Sequence, residues 1–224
     1  MTPSRTWPAL GLRAASPFRL GLLLLLAFLL AALPALARNI DAEKFGQNLI
    51  DRGFAILADN SGGDKARRAQ FHDFVLQNVD ARKTALFTLG NYRRSAPEDQ
   101  VEAFVTAFRD YATTLYETRL EERRKQELKV VGSLDNKPGD VTVNAEAKDP
   151  NSTEPVRIAL RLLGSSGNYK VVDVQAAGVW LSIEQRDQFA TFLSKHNGDL
   201  KALTSHLAAQ TASMRGKSAP ANTN

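Results

Sequence analysis

The hydrophobic positions of the chain change their period twice. From residue 45 to about residue 120, apolar residues recur every three or four positions, a spacing typical of amphipathic helices. Between residues 127 and 176 they alternate with polar residues, as in strands that have one buried face. The helical spacing returns after Ser182, where Ser182 and Gln185 have the spacing of a capping box. The chain is therefore predicted to have a helical half, a strand half and a helical return.

The strongest predicted helix lies in "SAPEDQVEAFVTAFRDYATTLYETRLEERRKQ". Ser95 and Glu98 have capping-box spacing, and Pro97 falls in the first turn, where its missing N–H costs little. The apolar face of this helix comprises Val101, Phe104, Val105, Phe108, Ala112 and Leu115. A long helix with such a face is expected to pack against another layer of the fold.

Four segments have the pattern of strands: "ELKVVGSL", "DVTVNAEAK", "PVRIALRLL" and "YKVVDVQ". They are joined by turn-rich stretches such as "DNKPGD" and "GSSGN", so consecutive strands are expected to pair as an antiparallel meander with one apolar face. The predicted fold class is α+β, with a curved antiparallel four-stranded sheet packed against a helical layer and enclosing an apolar cavity. The pattern alone does not separate a cavity wall from a dry core.

The first 37 residues have the features of a secretory signal peptide. Arg5, Arg13 and Arg19 precede an apolar run over residues 20–33, and Ala35-Leu36-Ala37 is a small-x-small cleavage site. Because a membrane-spanning helix needs about 20 apolar residues, cleavage after Ala37 is favoured over a retained anchor. Residues 38–209 are predicted to form one soluble domain, most simply in a bacterial periplasm, and residues 210–224 a disordered polar tail.

Removal of the signal peptide changes the charge of the protein. It takes away three arginines and no acidic residue, so the formal net charge falls from +5 to +2. A nucleic-acid-binding role thereby loses its main support. The chain has no cysteine, which excludes disulfides and a cysteine-linked lipid anchor.

Residues with catalytic or metal-binding chemistry are sparse. The three histidines have no metal-ligand spacing, so no metal site or other cofactor is expected. Asp173 is the one carboxylate in an apolar strand, and we expect it to face solvent or to accept a hydrogen bond from a nearby loop. No catalytic constellation is present, and the protein is predicted not to be an enzyme.

Two segments carry a family resemblance: "NVDARKTALFTLGNYRRSAPEDQVEAFVTAF" and "YKVVDVQAAGVWLSIEQRDQF". The matching positions are Asp80, Leu89, Gly90, Tyr92, Arg93, Gln100, Phe104 and Phe108 in the first and Lys170, Val171, Asp173, Val174, Gly178, Val179, Leu181, Arg186, Gln188 and Phe189 in the second. Over residues 45–207 the chain resembles the Mla-pathway periplasmic phospholipid-binding proteins, the MlaC or toluene-tolerance family. It departs from the family pattern at Val79, near Arg93, at Tyr169 and at Trp180.

The resemblance implies a soluble periplasmic carrier that shuttles phospholipid between an outer-membrane lipoprotein complex and an inner-membrane ABC transporter with its MCE-domain partner. Such a carrier maintains the lipid asymmetry of the outer membrane. The residues expected to line the lipid cavity are Leu86, Leu89, Phe104, Phe108, Tyr111, Leu115, Ile158, Leu160, Val172, Val174, Val179, Leu181 and Phe189. Trp180 is expected either to narrow the mouth of the cavity or to face outward as a docking aromatic.

Three alternatives stay open at the level of sequence. The hopanoid-associated HpnM branch of the same family shares the export signal and the domain. A small enzyme of the nuclear-transport-factor-like type would use Asp173 as its base. An envelope adaptor would dock through Trp180 and bind no lipid.

Overall fold

A computed structural model describes residues 38–122, 127–148 and 155–217 of the chain. Five helices come first: α1 (Ile40–Ala58), α2 (Gly63–Asn78), α3 (Ala81–Thr88), α4 (Tyr92–Ser95) and α5 (Glu98–Glu122). Five strands follow: β1 (Leu128–Lys137), β2 (Asp140–Ala147), β3 (Val156–Leu163), β4 (Lys170–Ala176) and β5 (Val179–Trp180). Two helices end this part of the chain: α6 (Leu181–Lys195) and α7 (Leu200–Lys217).

The strands form one sheet in the order of the sequence, and each strand is antiparallel to the next. The prediction of an α+β fold with a curved antiparallel sheet and a helical layer is confirmed, with a fifth, two-residue strand added to the four expected ones. A meander of this kind needs only short turns between strands. The two-residue turn of Pro138 and Gly139, for example, joins β1 to β2, and Gly139 supplies the positive φ of 76°.

Side chains at the helix starts set where the helices begin. Asn39 and Asp80 cap α1 and α3 by accepting hydrogen bonds from backbone N–H groups, and Asp199 does the same for α7. The capping box predicted for Ser95 does not form, because Ser95 ends the short α4 and its hydroxyl donates to the Tyr92 carbonyl at 3.1 Å.

A β-bulge interrupts the pairing of β3 with β4. Arg161 lies opposite Asp173, but Leu162 lies opposite Val171, so Val172 is an extra residue on β4. Val172 and Asp173 consequently lie on the same face of the sheet, and Val171 and Val174 lie on the other. The bulge shifts the alternation of β4 by one position relative to a regular strand.

The uncharged run after β4 makes a tight hairpin that leads directly into a helix. Ala176 pairs with Val179, and the two residues between them, Ala177 and Gly178, both have positive φ, of 49° and 82°. These values are those of a two-residue type I′ turn. Helix α6 starts at Leu181, so the hairpin is followed at once by a helix.

The helices α3, α5, α6 and α7 share a dry cluster that we call the helical core. It comprises Ala85, Leu89, Val101, Phe104, Val105, Phe108, Ala112, Phe189, Leu193, Leu200, Leu203 and Leu207. Helix α5 packs along α7, and α6 closes the cluster at Phe189. The helical half and the helical return are therefore one layer of the fold.

Helix α7 extends past the boundary predicted at residue 209. It continues to Lys217, and Thr211 is buried with its hydroxyl donating to the Leu207 carbonyl. The start predicted for the polar tail is thus wrong for residues 210–217, which the sequence led us to call disordered because they are small and polar. The predicted signal peptide and the last seven residues lie outside the described residues.

Within residues 38–122, 127–148 and 155–217, no helix is long and apolar enough to cross a membrane.

Candidate functional site: an apolar cavity between helices and sheet

A cavity of about 610 Å³ lies between the sheet and helices α1, α2 and α5. This volume is within the range of pockets that bind small molecules. Helices α1 and α2 contribute Leu49, Ile50, Phe54, Phe71, Phe74 and Val75 to its wall. The sheet contributes Leu128, Ile158, Leu160, Val171, Val174, Ala176 and Val179. The wall is therefore predominantly apolar on both layers.

The thirteen residues predicted to line a cavity fall into three groups. Seven lie in the cavity wall: Tyr111, Leu115, Ile158, Leu160, Val174, Val179 and Leu181. Five lie in or against the helical core instead: Leu86, Leu89, Phe104, Phe108 and Phe189. Val172 lines a different depression. A lipid-binding role for the first seven stays a prediction.

The five residues in the helical core are placed away from the cavity by the packing of α6 and α7. The ring of Phe104 meets that of Phe189 edge-to-face, with centroids 5.8 Å apart and an interplanar angle of 87°. Phe108 and Phe189 form a similar pair at 6.3 Å. These three rings are almost fully buried against one another and do not line the cavity. The prediction that they line the apolar cavity therefore differs from the structure, which places them in the helical core.

Val172 is displaced by the β-bulge. A regular strand would put Val172 and Val174 on the same face, which was the basis of their joint prediction. Because Val172 is the extra residue, Val171 takes its place in the cavity wall beside Val174. The prediction that Val172 lines the cavity therefore differs from the structure by one position, because Val171 lines it instead.

The contribution of α1 and α2 is what the sequence reasoning missed. The apolar spacing from residue 45 onward predicted helices here, but it did not place Leu49, Ile50, Phe71 or Phe74 in a cavity wall. The spacing of apolar residues is the same for a helix that packs on a dry core and one that faces a cavity. Only the separation of the layers distinguishes the two.

One part of the cavity wall is polar. Arg119 of α5 and Glu184, Gln185 and Gln188 of α6 belong to it. The Gln188 amide donates to the Glu184 carboxylate at 3.2 Å, and both side chains are exposed. Burial raises the pKa of the Tyr111 phenol, and the charge of Glu184 raises it further while Arg119 opposes the shift. Tyr111 thus lies at the edge where the apolar wall meets these charged groups, which we call the polar mouth.

Asp173 holds α6 to the sheet. Its Oδ1 accepts hydrogen bonds from the backbone N–H of Val174 and Ser182, and its Oδ2 accepts one from the Ser182 hydroxyl. Ser182 therefore anchors the first turn of α6 to β4 instead of capping the helix as predicted. Asp173 is 9% exposed and does not line the apolar cavity. The expectation that a nearby segment donates a hydrogen bond to Asp173 is confirmed.

Trp180 lies on the opposite face of the sheet from the cavity. It lines a second depression of about 490 Å³, together with Phe87, Val172, Asp173 and Ile183. Trp180 is absent from the wall of the apolar cavity, so it does not narrow the mouth of that cavity. Among the described residues, no group of three or more His, Cys, Asp or Glu side chains is placed to hold a metal ion.

Comparison with known proteins decides the family. The family model described as "MlaC protein" matches residues 47–209, a stretch that starts within α1, ends within α7 and includes every element of the cavity wall. The chain belongs to the MlaC family. The matched range confirms the family resemblance predicted over residues 45–207.

A solved structure shares the fold of this MlaC-family chain. It is a phospholipid-binding protein from Ralstonia solanacearum in complex with a phospholipid. The two chains are 24% identical and superpose with a TM-score of 0.64, over 78% of this chain and 98% of the other. At this level of identity the match shows the common architecture of helices and meander sheet.

Proposed function

We propose that this protein is an exported carrier that binds one phospholipid with its acyl tails in the apolar cavity. The observation that carries the proposal is the cavity itself, which has apolar walls on both layers and a polar mouth at one edge. An amphipathic ligand matches this division, because its tails require apolar contacts and its headgroup requires water or polar partners. Membership in the MlaC family and the phospholipid in the Ralstonia solanacearum protein support the same ligand class.

The energetic need for such a cavity follows from the hydrophobic effect. Exposure of an acyl chain costs about 0.8 kcal/mol per CH₂, so a chain of roughly 16 carbons in water costs on the order of 13 kcal/mol. A protein that removes the tails from water lowers the barrier to moving a lipid between two membranes. It needs no catalytic group to do so.

Export is part of the proposal, and the start of the folded domain supports it. The Arg38 guanidinium donates to Glu43 at 2.9 Å through Nε, and the Asn39 N–H donates to the Ser133 hydroxyl at 2.7 Å. Ser133 in turn donates to Glu43. The chain is therefore tied to β1 from the first residues after the predicted cleavage site at Ala37. We place the mature protein in the periplasm.

The partners we propose are those that the family resemblance implies. The carrier would exchange phospholipid between an outer-membrane lipoprotein complex and an inner-membrane ABC transporter with its MCE-domain partner, which maintains outer-membrane asymmetry. A formal net charge of only +2 for the chain after residue 37 agrees with docking to specific protein complexes, since strong general attraction to anionic membrane surfaces needs clustered basic residues.

The decisive experiment is to identify what the protein carries. The full chain is expressed, the exported product is purified, and its organic extract is analysed by mass spectrometry. We expect phospholipid masses in a stoichiometric amount and renewed loading from phospholipid vesicles after delipidation. Lipid-free protein that takes up nothing from vesicles would overturn the proposal, and a hopanoid mass would assign the protein to the hopanoid branch.

Blocking the cavity tests where the lipid sits. Leu160 lies in the cavity wall on β3, opposite Val174. A Leu160→Trp variant should fill the cavity, and we expect it to fold but to retain less than about a tenth of the wild-type lipid. Leu163→Trp is the matched control, because Leu163 is on the same strand but lines the depression on the other face. Equal lipid in the two variants would contradict a tail site in this cavity.

A further inference from the structure

Two tyrosine hydroxyls in the cavity wall have no protein partner. Tyr111 and Tyr116 of α5 both line the cavity, and no described residue donates to or accepts from either hydroxyl. The Tyr169 hydroxyl, by contrast, donates to Asn39 Oδ1 at 3.3 Å. A tyrosine placed among apolar side chains normally finds a hydrogen-bond partner for its hydroxyl, because an unsatisfied hydroxyl is costly there. A ligand that enters this cavity therefore meets two donors that the protein leaves available.

Both hydroxyls stay protonated under all ordinary conditions. Burial raises the pKa of Tyr116 far above its usual value, and the negative charge of Asp173 raises it further. The pKa of Tyr111 is also raised, by burial first and by Glu184 second. Each phenol is therefore a hydrogen-bond donor and calls for a neutral or negative acceptor on the ligand.

The two phenols lie close to the polar mouth on helix α5. Tyr111 interacts electrostatically with Glu184 and Arg119, and Tyr116 packs against the apolar cluster of α2 around Phe71. Arg119 follows Tyr116 by three residues, about one turn of the helix, and the two tyrosines are about 7.5 Å apart along the axis of α5. The wall thus combines charged groups, two hydroxyl donors and a largely apolar surface.

We propose that the Tyr111 and Tyr116 hydroxyls donate hydrogen bonds to the acyl-ester carbonyls of the bound lipid. A glycerolipid presents a charged headgroup, two ester carbonyls and two hydrocarbon tails, which match the charged groups, the two hydroxyl donors and the apolar surface of the wall. The cavity therefore selects ester-linked glycerolipids over ether-linked lipids and over hydrocarbons of equal length, which offer no carbonyl to these donors. This inference rests on the proposed lipid-carrier function and adds the chemistry by which the ligand is recognised.

The test compares two lipids that differ only in the carbonyls. Delipidated protein is incubated with vesicles that contain dipalmitoyl phosphatidylethanolamine and its di-O-hexadecyl ether analogue in equal amounts, and the bound lipids are counted by native mass spectrometry. We expect wild-type protein to prefer the ester lipid by at least about fivefold, the effect of one net hydrogen bond. Tyr116→Phe should lower this preference by about fivefold and leave ether-lipid binding unchanged.

Tyr92→Phe is the matched control, because Tyr92 packs against the helical core and does not line the cavity. It should keep the wild-type preference. Thermal unfolding of the delipidated proteins provides a second measurement: Tyr116→Phe should melt at or above the wild-type temperature, because the hydroxyl that it removes makes no bond to the protein.

The outcomes separate this inference from the proposed function. Wild-type protein that loads neither lipid overturns the carrier function and the inference together. Equal loading of the ester and ether lipids by wild-type protein overturns the inference alone, and this arm needs no variant. A Tyr116→Phe variant that loses both lipids equally would show that the hydroxyl supports the cavity as a whole and not an ester carbonyl, and would likewise overturn the inference.

Discussion

The two halves of helix α5 carry similar large side chains, but one half packs in a core and the other half lines a cavity. Over residues 101–108 its apolar face carries Phe104 and Phe108, which are at most 2% exposed and pack against Phe189 of α6. Over residues 111–120 the helix carries Tyr111, Leu115 and other large residues that line the cavity. The first half is a dry core and the second is a cavity wall, although one amphipathic period runs through both.

The difference between the halves comes from the layers that face them. Helix α6 closes on the first half at Phe189, whereas the second half faces the sheet and helices α1 and α2 across the cavity. An apolar face stabilises the fold only where a second surface removes it from water and leaves no void. The half of α5 that lines the cavity therefore contributes less packing energy than the half in the core, but it leaves space beside it.

Truncating one residue in each half should give the largest contrast. Phe104→Ala removes a fully buried ring from the helical core and should lower the free energy of unfolding by about 3–5 kcal/mol. Leu115→Ala enlarges a cavity that already exists and should cost about 1 kcal/mol or less. Denaturant unfolding of the two delipidated variants measures the difference. Equal losses would mean that the cavity wall is packed as tightly as the core.

Loss of the hydrogen bond that ties helix α6 to the sheet should have an intermediate effect on stability. Helix α6 contributes Phe189 to the core and Leu181 to the cavity, and Ser182 ties its first turn to Asp173 of β4. Because the acceptor is a buried carboxylate, we expect Ser182→Ala to lower the free energy of unfolding by about 2 kcal/mol. Ser194→Ala, an exposed change on the same helix, should cost almost nothing. If Ser182→Ala lowers the free energy of unfolding no more than Ser194→Ala does, the hydrogen bond to Asp173 does not anchor α6.

The smallest expected effect is a dependence on pH that belongs to the cavity half. Glu117 of α5 is 9% exposed, and burial raises its carboxyl pKa, with Arg68 at 3.5 Å opposing the shift. Because the folded protein then holds the proton more tightly than the unfolded chain, stability should fall as the pH rises from about 4.3 through the raised pKa. Glu117→Gln should lack this fall.

Thermal melts of the wild type and Glu117→Gln at pH 4 and pH 7 measure that difference. The two proteins should melt at similar temperatures at pH 4, and the variant should melt a few degrees higher at pH 7. A variant whose advantage is largest at pH 4 would reverse the sign and contradict a buried carboxylate with a raised pKa.

Most of the fold followed from local pattern. The long helix α5 and the four main strands were predicted because each has a clear period over many residues. The start of α5 was not, since Ser95 has the spacing of a cap but already belongs to α4. The end of α7 was missed because a helix of small and polar residues owes its order to packing on a neighbour.

The site was less predictable than the fold for a physical reason. A cavity is a property of the distance between layers, and that distance depends on sheet curvature and on how α6 and α7 close, neither of which is encoded in a local period. The sequence therefore identified the sheet side of the wall through Ile158 and Leu160 but mixed core and wall on α5. It also could not reveal the bulge in β4, because "VVDV" reads equally well as a regular strand.

Because Val172 is the unpaired residue of the bulge, β4 can lose a residue here without a change in how its other residues pair with β3. A chain that lacked Val172 would still pair Leu162 with Val171 and Arg161 with the aspartate, so every side chain of β4 would keep its face. The hydrogen bond from the Thr84 hydroxyl to the Val172 carbonyl would be the local loss. Deletion of a residue outside the bulge, such as Gln175, would instead exchange cavity-facing and outward side chains. Length variation among related proteins should therefore concentrate at the bulge of this strand.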